Sequence, residues 1–152
     1  MSTIQESVDV RVPVRAAYDQ WTQFEEFPRF MEGVTSVTQV DDTHLHWVAD
    51  IDGVHREWDA EIAEQQPDQR VAWRSTDGTD NAGVVTFHRL DDTTTRVMLQ
   101  MDFDPQGIAE TVGDKLGFVQ RRAKGDLERF KEFIETEGPT GAWRGEVDRK
   151  GY

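Results

Sequence analysis

The sequence of 152 residues contains no cysteine, which excludes disulfide bonds, thiolate catalysis and sulfur-ligated metal ions. It also has no apolar run long enough to span a membrane. Residues 1–12 alternate apolar and polar side chains and lack the apolar core of a secretory signal. These absences predict a cytoplasmic protein without stable membrane insertion.

Basic residues are scarce as well. The sequence has 17 lysines and arginines against 30 aspartates and glutamates, which gives a formal net charge of −13. Negative charge repels the phosphates of nucleic acids and the headgroups of anionic lipids, so neither is expected as a partner. The length corresponds to one domain with a single core. None of these features indicates an oligomeric state.

Alternating apolar and polar residues predict a sheet of seven strands. These strands are 4–12, 34–40, 45–51, 54–62, 71–75, 83–90 and 96–103. Between the first two, the spacing of apolar residues changes to that of a helix. One short helix is predicted from Val14, and a second one around Pro28.

A long helix is predicted after Gly107, ending near Glu137, where Gly138 and Pro139 stop it. Its apolar residues recur at intervals of three and four and form one stripe: Leu116, Val119, Ala123, Leu127, Phe130 and Ile134. Because a sheet must cover this stripe, we predict an α+β fold with all helices on one face of the sheet. The domain is expected to span 1–137, followed by a flexible tail, 138–152.

The pair Asp52 and Gly53 is typical of a two-residue hairpin turn and fixes the register of the flanking strands. This register places Trp47 opposite Trp58, and Ala49 opposite Arg56, on one inner face. The same alternation assigns further residues to that face: Val71, Trp73, Gly83, Val85, Phe87, Val97, Leu99, Met101 and Phe103.

The histidines of this hairpin fall on the outer face, each opposite a carboxylate. The predicted pairs are His44 with Glu61, His46 with Asp59, and His55 with Asp50. His44, His46 and Asp59 could together ligate a metal ion, but cross-strand charge pairs account for the same pattern, so we predict no metal site. The parity of His88 is also that of the outer face. An inner face without histidine argues against hydrolase or isomerase chemistry of the usual kind.

The order of elements resembles that of the START-like helix-grip superfamily (SRPBCC). Several segments are similar to bacterial members of the polyketide cyclase/dehydrase-like family: VRVPV at 10–14, AYDQW at 17–21, FPRFMEGV at 27–34, REW at 56–58, WRS at 73–75, GVVTF at 83–87 and DLERFKEFIE at 126–135. The similarity spans about residues 4–137. It implies a helix-grip fold in which a curved seven-stranded antiparallel sheet and the long C-terminal helix enclose a cavity. It implies no cofactor.

Arg56 is the best candidate for a catalytic residue. A guanidinium on an apolar face is costly unless it is paired, so it could hold a carboxylate, phenolate or enolate of a ligand. Alternatively, an arginine near a strand end reaches water or pairs with an acid in a loop.

Other candidates for ligand binding are the aromatic residues Trp47, Trp58, Trp73 and Phe87, which could stack on a planar molecule. Met101 and Leu116 could line the same cavity. All six also suit ordinary core packing. Gln120, beside the helical stripe, could direct an amide into the cavity or occupy an ordinary helix flank.

The leading hypothesis is therefore the binding of a hydrophobic small molecule of the lipid, quinone, aromatic or polyketide type. If the protein is an enzyme, cofactor-independent cyclisation or dehydration is the expected chemistry. The hypothesis rests on an inner face with one charge and no histidine. The alternative is a protein-interaction or chaperone module without turnover, such as a coenzyme-Q-chaperone-like role, favoured by Trp143 and Tyr152 in an otherwise polar tail.

Overall fold

A computed structural model of the chain describes residues 2–51, 53–76, 81–103 and 115–143. These residues form seven strands: β1 (Ser2–Val10), β2 (Val34–Gln39), β3 (His44–Ile51), β4 (Val54–Gln66), β5 (Arg70–Ser75), β6 (Asn81–Asp91) and β7 (Thr94–Phe103). They also form the helices α1 (Val14–Trp21) and α2 (Lys115–Glu137). The second short helix is a 3₁₀ helix, Phe24–Arg29. The predicted start of the long helix, just after Gly107, lies outside the described residues.

The strands form one antiparallel sheet in the order β1-β7-β6-β5-β4-β3-β2. Each strand from β2 to β6 lies beside the next strand in sequence, and β1 pairs with β7 at one edge of the sheet. The sheet curls into a half-barrel around α2. The predicted α+β helix-grip fold is therefore confirmed.

The predicted register of the β3–β4 hairpin is confirmed at every position. Trp47 pairs with Trp58, and Ala49 pairs with Arg56. Gly53 has a φ of 80°, which glycine adopts without the steric cost that a side chain would bring. Because no bulge interrupts the pairing of residues 44–51 with residues 54–61, simple alternation assigns the two faces of the hairpin correctly.

Strand β4 is longer than predicted, since it continues to Gln66 rather than ending at Ile62. A bulge between Ile62 and Glu64 shifts the pairing with β5, so that Gln65 lies opposite Val71. Strict alternation would direct Glu64 inward after Ile62. The bulge turns Gln65 inward instead, and its side chain is wholly buried.

The apolar stripe of α2 packs into the centre of the core. Its members Val119, Ala123, Leu127, Phe130 and Ile134 are all buried, whereas the side chain of Leu116 lies outside the described residues. The Phe130 ring lies 5.2 Å from the rings of both Trp21 and Phe30. These contacts join α2 to α1 and to the end of the 3₁₀ helix.

The segment after α2 was expected to be a flexible tail. Gly138 hydrogen-bonds through its N–H to the carbonyl of Ile134 at 3.1 Å, and Trp143 packs against the core cluster. Residues 138–143 thus make specific contacts with the domain, which the composition of the segment did not indicate. Residues 144–152 lie outside the described part of the chain.

Candidate functional site

The inner face of the sheet is not uniformly buried. Val10, Val85 and Val97 are wholly buried, but a set of half-buried inner positions follows β4 to β7. We call these six residues the inner strip: Arg56, Trp58, Trp73, Ser75, Gly83 and Met101. Trp73 pairs with Gly83, and Gly83 pairs with Met101, so the second half of the strip is continuous across three strands.

A stacked indole pair lies beside the inner strip. The rings of Trp47 and Trp58 are 5.6 Å apart and inclined by only 9°, and Phe27 contacts the Trp47 ring at 5.6 Å. Trp47 is 9% exposed, yet its Nε1–H has no hydrogen-bond partner among the described residues. A buried indole donor usually has an acceptor, so this group is unusual among buried donors.

Trp73 lies across the neighbouring strand at Gly83. A Cβ atom placed on Gly83 would be 2.5 Å from Cζ2 of Trp73, and 2.8 Å from its Cη2 atom. Only a residue without a side chain leaves room for the indole here. Gly83 therefore determines where the Trp73 ring lies.

Arg56 lies at the hairpin end of the inner strip, two residues before Trp58 on the same face, and is half-buried. It is not the only charge at an inner-facing position. Glu6 has inner-face parity on β1 and is also half-buried. The alternation of β1 contained this signal, but the expectation of a single inner charge was wrong.

The remaining candidates differ in their surroundings. Phe87 is buried and packs edge-on against Tyr18 of α1, with ring centroids 5.5 Å apart. Gln120 is exposed and donates a hydrogen bond from Nε2 to Oε1 of Glu6 at 3.1 Å. The contact of Gln120 therefore ties α2 to the edge strand β1. Met101 belongs to the inner strip. The roles of Phe87, Gln120 and Met101 in ligand binding remain predictions.

The outer face of the hairpin carries alternating carboxylates and imidazoles, which we call the histidine ladder: Asp59, His46, Glu57, His55 and Asp50. His46 contacts Asp59 through Nδ1 at 2.8 Å and Glu57 through Nε2 at 3.0 Å. His55 contacts Glu57 through Nε2 at 2.8 Å and Asp50 through Nδ1 at 3.2 Å. The predicted pairs of His46 and His55 are confirmed, and Glu57 joins them.

These hydrogen bonds change the protonation of the ladder. Hydrogen bonds to Asp59 and Glu57 raise the pKa of His46, and hydrogen bonds to Glu57 and Asp50 raise the pKa of His55. The two imidazoles in turn lower the pKa of Glu57. Both histidines therefore favour the charged form, which suits donation to carboxylates rather than ligation of a metal.

The other two histidines, His44 and His88, also lie outside the inner face. His44 is 3.9 Å from its predicted partner Glu61 but only 2.8 Å from Asp41. His88 is exposed and contacts the Thr86 hydroxyl at 2.9 Å. In the described part of the chain, no three histidines, aspartates or glutamates come together as metal ligands.

A surface hollow of about 250 Å³ lies away from the inner strip, beside the end of the 3₁₀ helix. Its lining includes Arg29 and Arg129, and each of them already has a carboxylate partner. Arg29 is 2.8 Å from Glu137, and Arg129 is 2.5 Å from Asp126. Because both arginines are already paired with carboxylates, the hollow is a weaker candidate for a binding site than the inner strip.

Comparison with known proteins relates this geometry to a family. A family model described as "Polyketide cyclase / dehydrase and lipid transport" matches residues 10–132. An uncharacterized 17.2 kDa protein of Streptomyces lincolnensis is 62% identical over 149 residues, which are 97% of this chain and 99% of that protein.

Solved structures with the same fold are more distant in sequence. The Zhui aromatase/cyclase of a Streptomyces species superimposes with a TM-score of 0.73 at 16% identity, over 90% of this chain and 96% of its own. A START superfamily protein of Mycobacterium smegmatis does so with a TM-score of 0.69 at 12% identity, over 88% of this chain and 94% of its own. At such identities the likeness shows the fold alone.

A curled antiparallel sheet closed around a terminal helix defines a START-like, helix-grip protein. Within that class, the chain belongs to the polyketide cyclase/dehydrase and lipid transport family. None of the helices in its described ranges has the length and apolarity required to cross a bilayer.

Proposed function

We propose that the protein binds a hydrophobic small molecule between the inner strip and α2. A lipid, quinone, aromatic or polyketide-type molecule would lie on the faces of Trp58 and Trp73 and against Met101. Arg56 would pair with an acidic or enolate oxygen at one end of the ligand, and the Nε1–H of Trp47 would donate to a further acceptor. Cytoplasmic residence is part of this proposal.

The observation that carries the proposal is the inner strip itself. Its tryptophans and methionine are only half-buried, although they face the same way as the wholly buried valines of the core. Apolar surface left partly uncovered beside a core is typical of a ligand site, and its few polar groups can orient the ligand. Membership of a family described by cyclisation, dehydration and lipid transport supports this interpretation.

Turnover is a second candidate function, favoured by the position of Arg56 on the apolar face. A curved apolar cavity can hold a flexible chain in a reactive shape. A guanidinium beside it can stabilise the negative charge that develops as an enolate forms during cyclisation. The name of the Zhui aromatase/cyclase describes such an activity for that protein, and we extend it to this chain only as a proposal.

The alternative of a protein-interaction or chaperone module depended on Trp143 and Tyr152. Trp143 packs against the core, so its ring is partly used within the domain. Tyr152 lies outside the described residues. The remaining support for that alternative is therefore weaker than the support for ligand binding.

Native mass spectrometry of the protein purified from its own host, combined with displacement of an apolar dye, tests the proposal. We expect a bound apolar molecule and dye binding that Trp58→Ala and Trp73→Ala each weaken about three- to tenfold, since each removes one stacking ring. Leu90→Ala, at an exposed position outside the strip, is the matched control. A protein that neither carries nor binds any apolar molecule would contradict the proposal.

A further inference from the structure

Two glutamines, one on α1 and one on β4, are completely buried. Gln20 of α1 and Gln65 of β4 are both 0% exposed, and Thr22, just after α1, is 1% exposed. A buried amide is costly unless it forms hydrogen bonds. The hydrogen-bond partners of these buried side chains therefore show which segment they bind.

The three side chains bind the main chain of the segment after α2. We call residues 139–143 the strap. Gln20 Oε1 accepts from the Thr140 N–H at 2.7 Å, and Thr22 Oγ1 accepts from the Trp143 N–H at 2.9 Å. Gln65 Nε2 donates to the carbonyl oxygen of Trp143 at 3.0 Å. All three contacts are with peptide groups, so they do not depend on the side chains of the strap.

The strap is far less buried than the residues that hold it. Thr140, Gly141 and Ala142 are exposed, and only Trp143 is half-buried. The strap follows Gly138, whose φ of 71° turns the chain away from the axis of α2. A segment with one apolar anchor and three hydrogen bonds opens at a much lower cost than a core strand.

The strap does not use every polar atom of the two glutamine side chains. Gln20 Nε2 and Gln65 Oε1 are buried and have no hydrogen-bond partner among the described residues. One of these atoms is a donor and the other is an acceptor.

We propose that Gln20, Thr22 and Gln65 form a main-chain binding site whose occupant is the chain's own residues 139–143, held as a detachable strap. This site is separate from the inner strip, and the proposal does not depend on ligand binding there.

Amide hydrogen exchange of the full chain, followed by NMR, tests the proposal directly. We expect the amides of Thr140 and Trp143 to be protected, and those of Gly141 and Ala142, which have no acceptor in the described structure, to exchange freely. Protection at Thr140 and Trp143 should be at least about 100-fold weaker than in the core strand β7, because the strap opens locally. Free exchange at all four amides, or protection equal to that of β7, would overturn the proposal.

Gln65→Met keeps the size of the side chain and removes the donor to Trp143. It should accelerate exchange at Trp143 at least tenfold while β7 remains protected. Gln66→Met is the matched control, since the Gln66 amide contacts Glu64 instead, at 3.2 Å. Equal effects of the two variants on Trp143 would contradict the assignment of Gln65 to this main-chain binding site.

A disulfide can test whether the strap detaches. A Cβ atom on Gly141 would lie 3.0 Å from Cδ of Gln23, and the chain has no cysteine of its own. In the Gln23→Cys/Gly141→Cys variant, oxidation should slow exchange at Thr140 and Trp143 to the rate of the core, and reduction should restore it. Identical exchange in both redox states would show that the strap does not detach. If the double variant fails to fold, the Gln65→Met comparison still decides.

Discussion

At Gly83, the lack of a side chain is a packing requirement. Gly83→Ala places a methyl group 2.5 Å from the Trp73 indole. Because the indole is rigid, the whole ring would have to shift to relieve this contact. We expect a loss of stability of about 1–3 kcal/mol, as for overpacked sites generally, measured by urea unfolding. An unstrained glycine-to-alanine change in a strand would instead be neutral or stabilising.

The double variant Gly83→Ala/Trp73→Leu is the control for this prediction. Leucine removes the atoms that the new methyl group would contact, so adding Gly83→Ala to Trp73→Leu should cost much less than adding it to the wild-type protein. The two substitutions should therefore be non-additive by about 1 kcal/mol or more. Additive effects would mean that the indole does not determine the requirement for glycine.

Substitution of Arg56 can distinguish recognition of a negatively charged ligand group from binding through apolar contacts alone. Arg56→Met should weaken the binding of an anionic aromatic probe at least tenfold and leave the binding of a neutral probe of the same shape unchanged. For Arg56→Lys, the affinity for the anionic probe should lie between those of the wild-type protein and Arg56→Met. Fluorescence titration with the two probes measures this difference. Arg74→Met is the matched control, because Arg74 pairs with Glu61 on the outer face. Equal weakening of both probes by Arg56→Met would rule out charge recognition at this position.

At the scale of elements, the β3–β4 hairpin should respond to pH through the histidine ladder. The pKa values of His46 and His55 are raised above 6.5 by their carboxylate partners. Their contribution to stability is therefore complete below pH 6.5 and is lost as the pH rises through the raised values. The pKa of Glu57 is lowered from 4.5, so its contribution is present above pH 4.5 and is lost as the pH falls further.

The hairpin should consequently be most resistant to opening between about pH 4.5 and 6.5. Its amide exchange, corrected for the intrinsic rate at each pH, measures this. His46→Gln and His55→Gln should reduce the loss of protection above pH 6.5, whereas His88→Gln, which lies outside the ladder, should not. Because the groups are exposed, the effect should be small and should weaken in salt. Protection that does not change from pH 6 to 8.5 would contradict the prediction.

The elements also show which parts of the structure the sequence could predict. In the β3–β4 hairpin, the turn residues fixed the register, so alternation correctly placed Trp47, Arg56 and Trp58 inside and the histidines outside. In β4, the bulge after Ile62 reversed the parity, and alternation alone contains no signal for it.

The contacts of Gln20 and Gln65 with the strap were missed for a different reason. Gln20 and Gln65 are polar, and the burial of a polar side chain depends on partners that are distant in the sequence. Thr140 is 120 residues from Gln20, and no local pattern links them. The glycine and proline content of the C-terminal segment indicated flexibility, but three hydrogen bonds to buried side chains hold its first part.

At the scale of the whole molecule, the dominant feature is the excess of acidic residues. Many basic side chains already have carboxylate partners, as in the pair of Arg96 with Asp9 at 2.8 Å. Thirteen negative charges remain in excess, and they repel one another most strongly in the compact state. Self-repulsion should therefore outweigh the individual surface ion pairs, each of which contributes little.

Salt should accordingly stabilise the protein. Raising the ionic strength from 0.1 to 1 M shortens the Debye length from about 10 to about 3 Å, so we expect the melting temperature to rise with sodium chloride in calorimetry. The variant Glu128→Lys/Glu132→Lys, at two exposed positions of α2, removes four units of the excess and should show a weaker dependence on salt. A melting temperature that falls with salt would mean that attractive ion pairs outweigh the repulsion, and it would contradict the prediction.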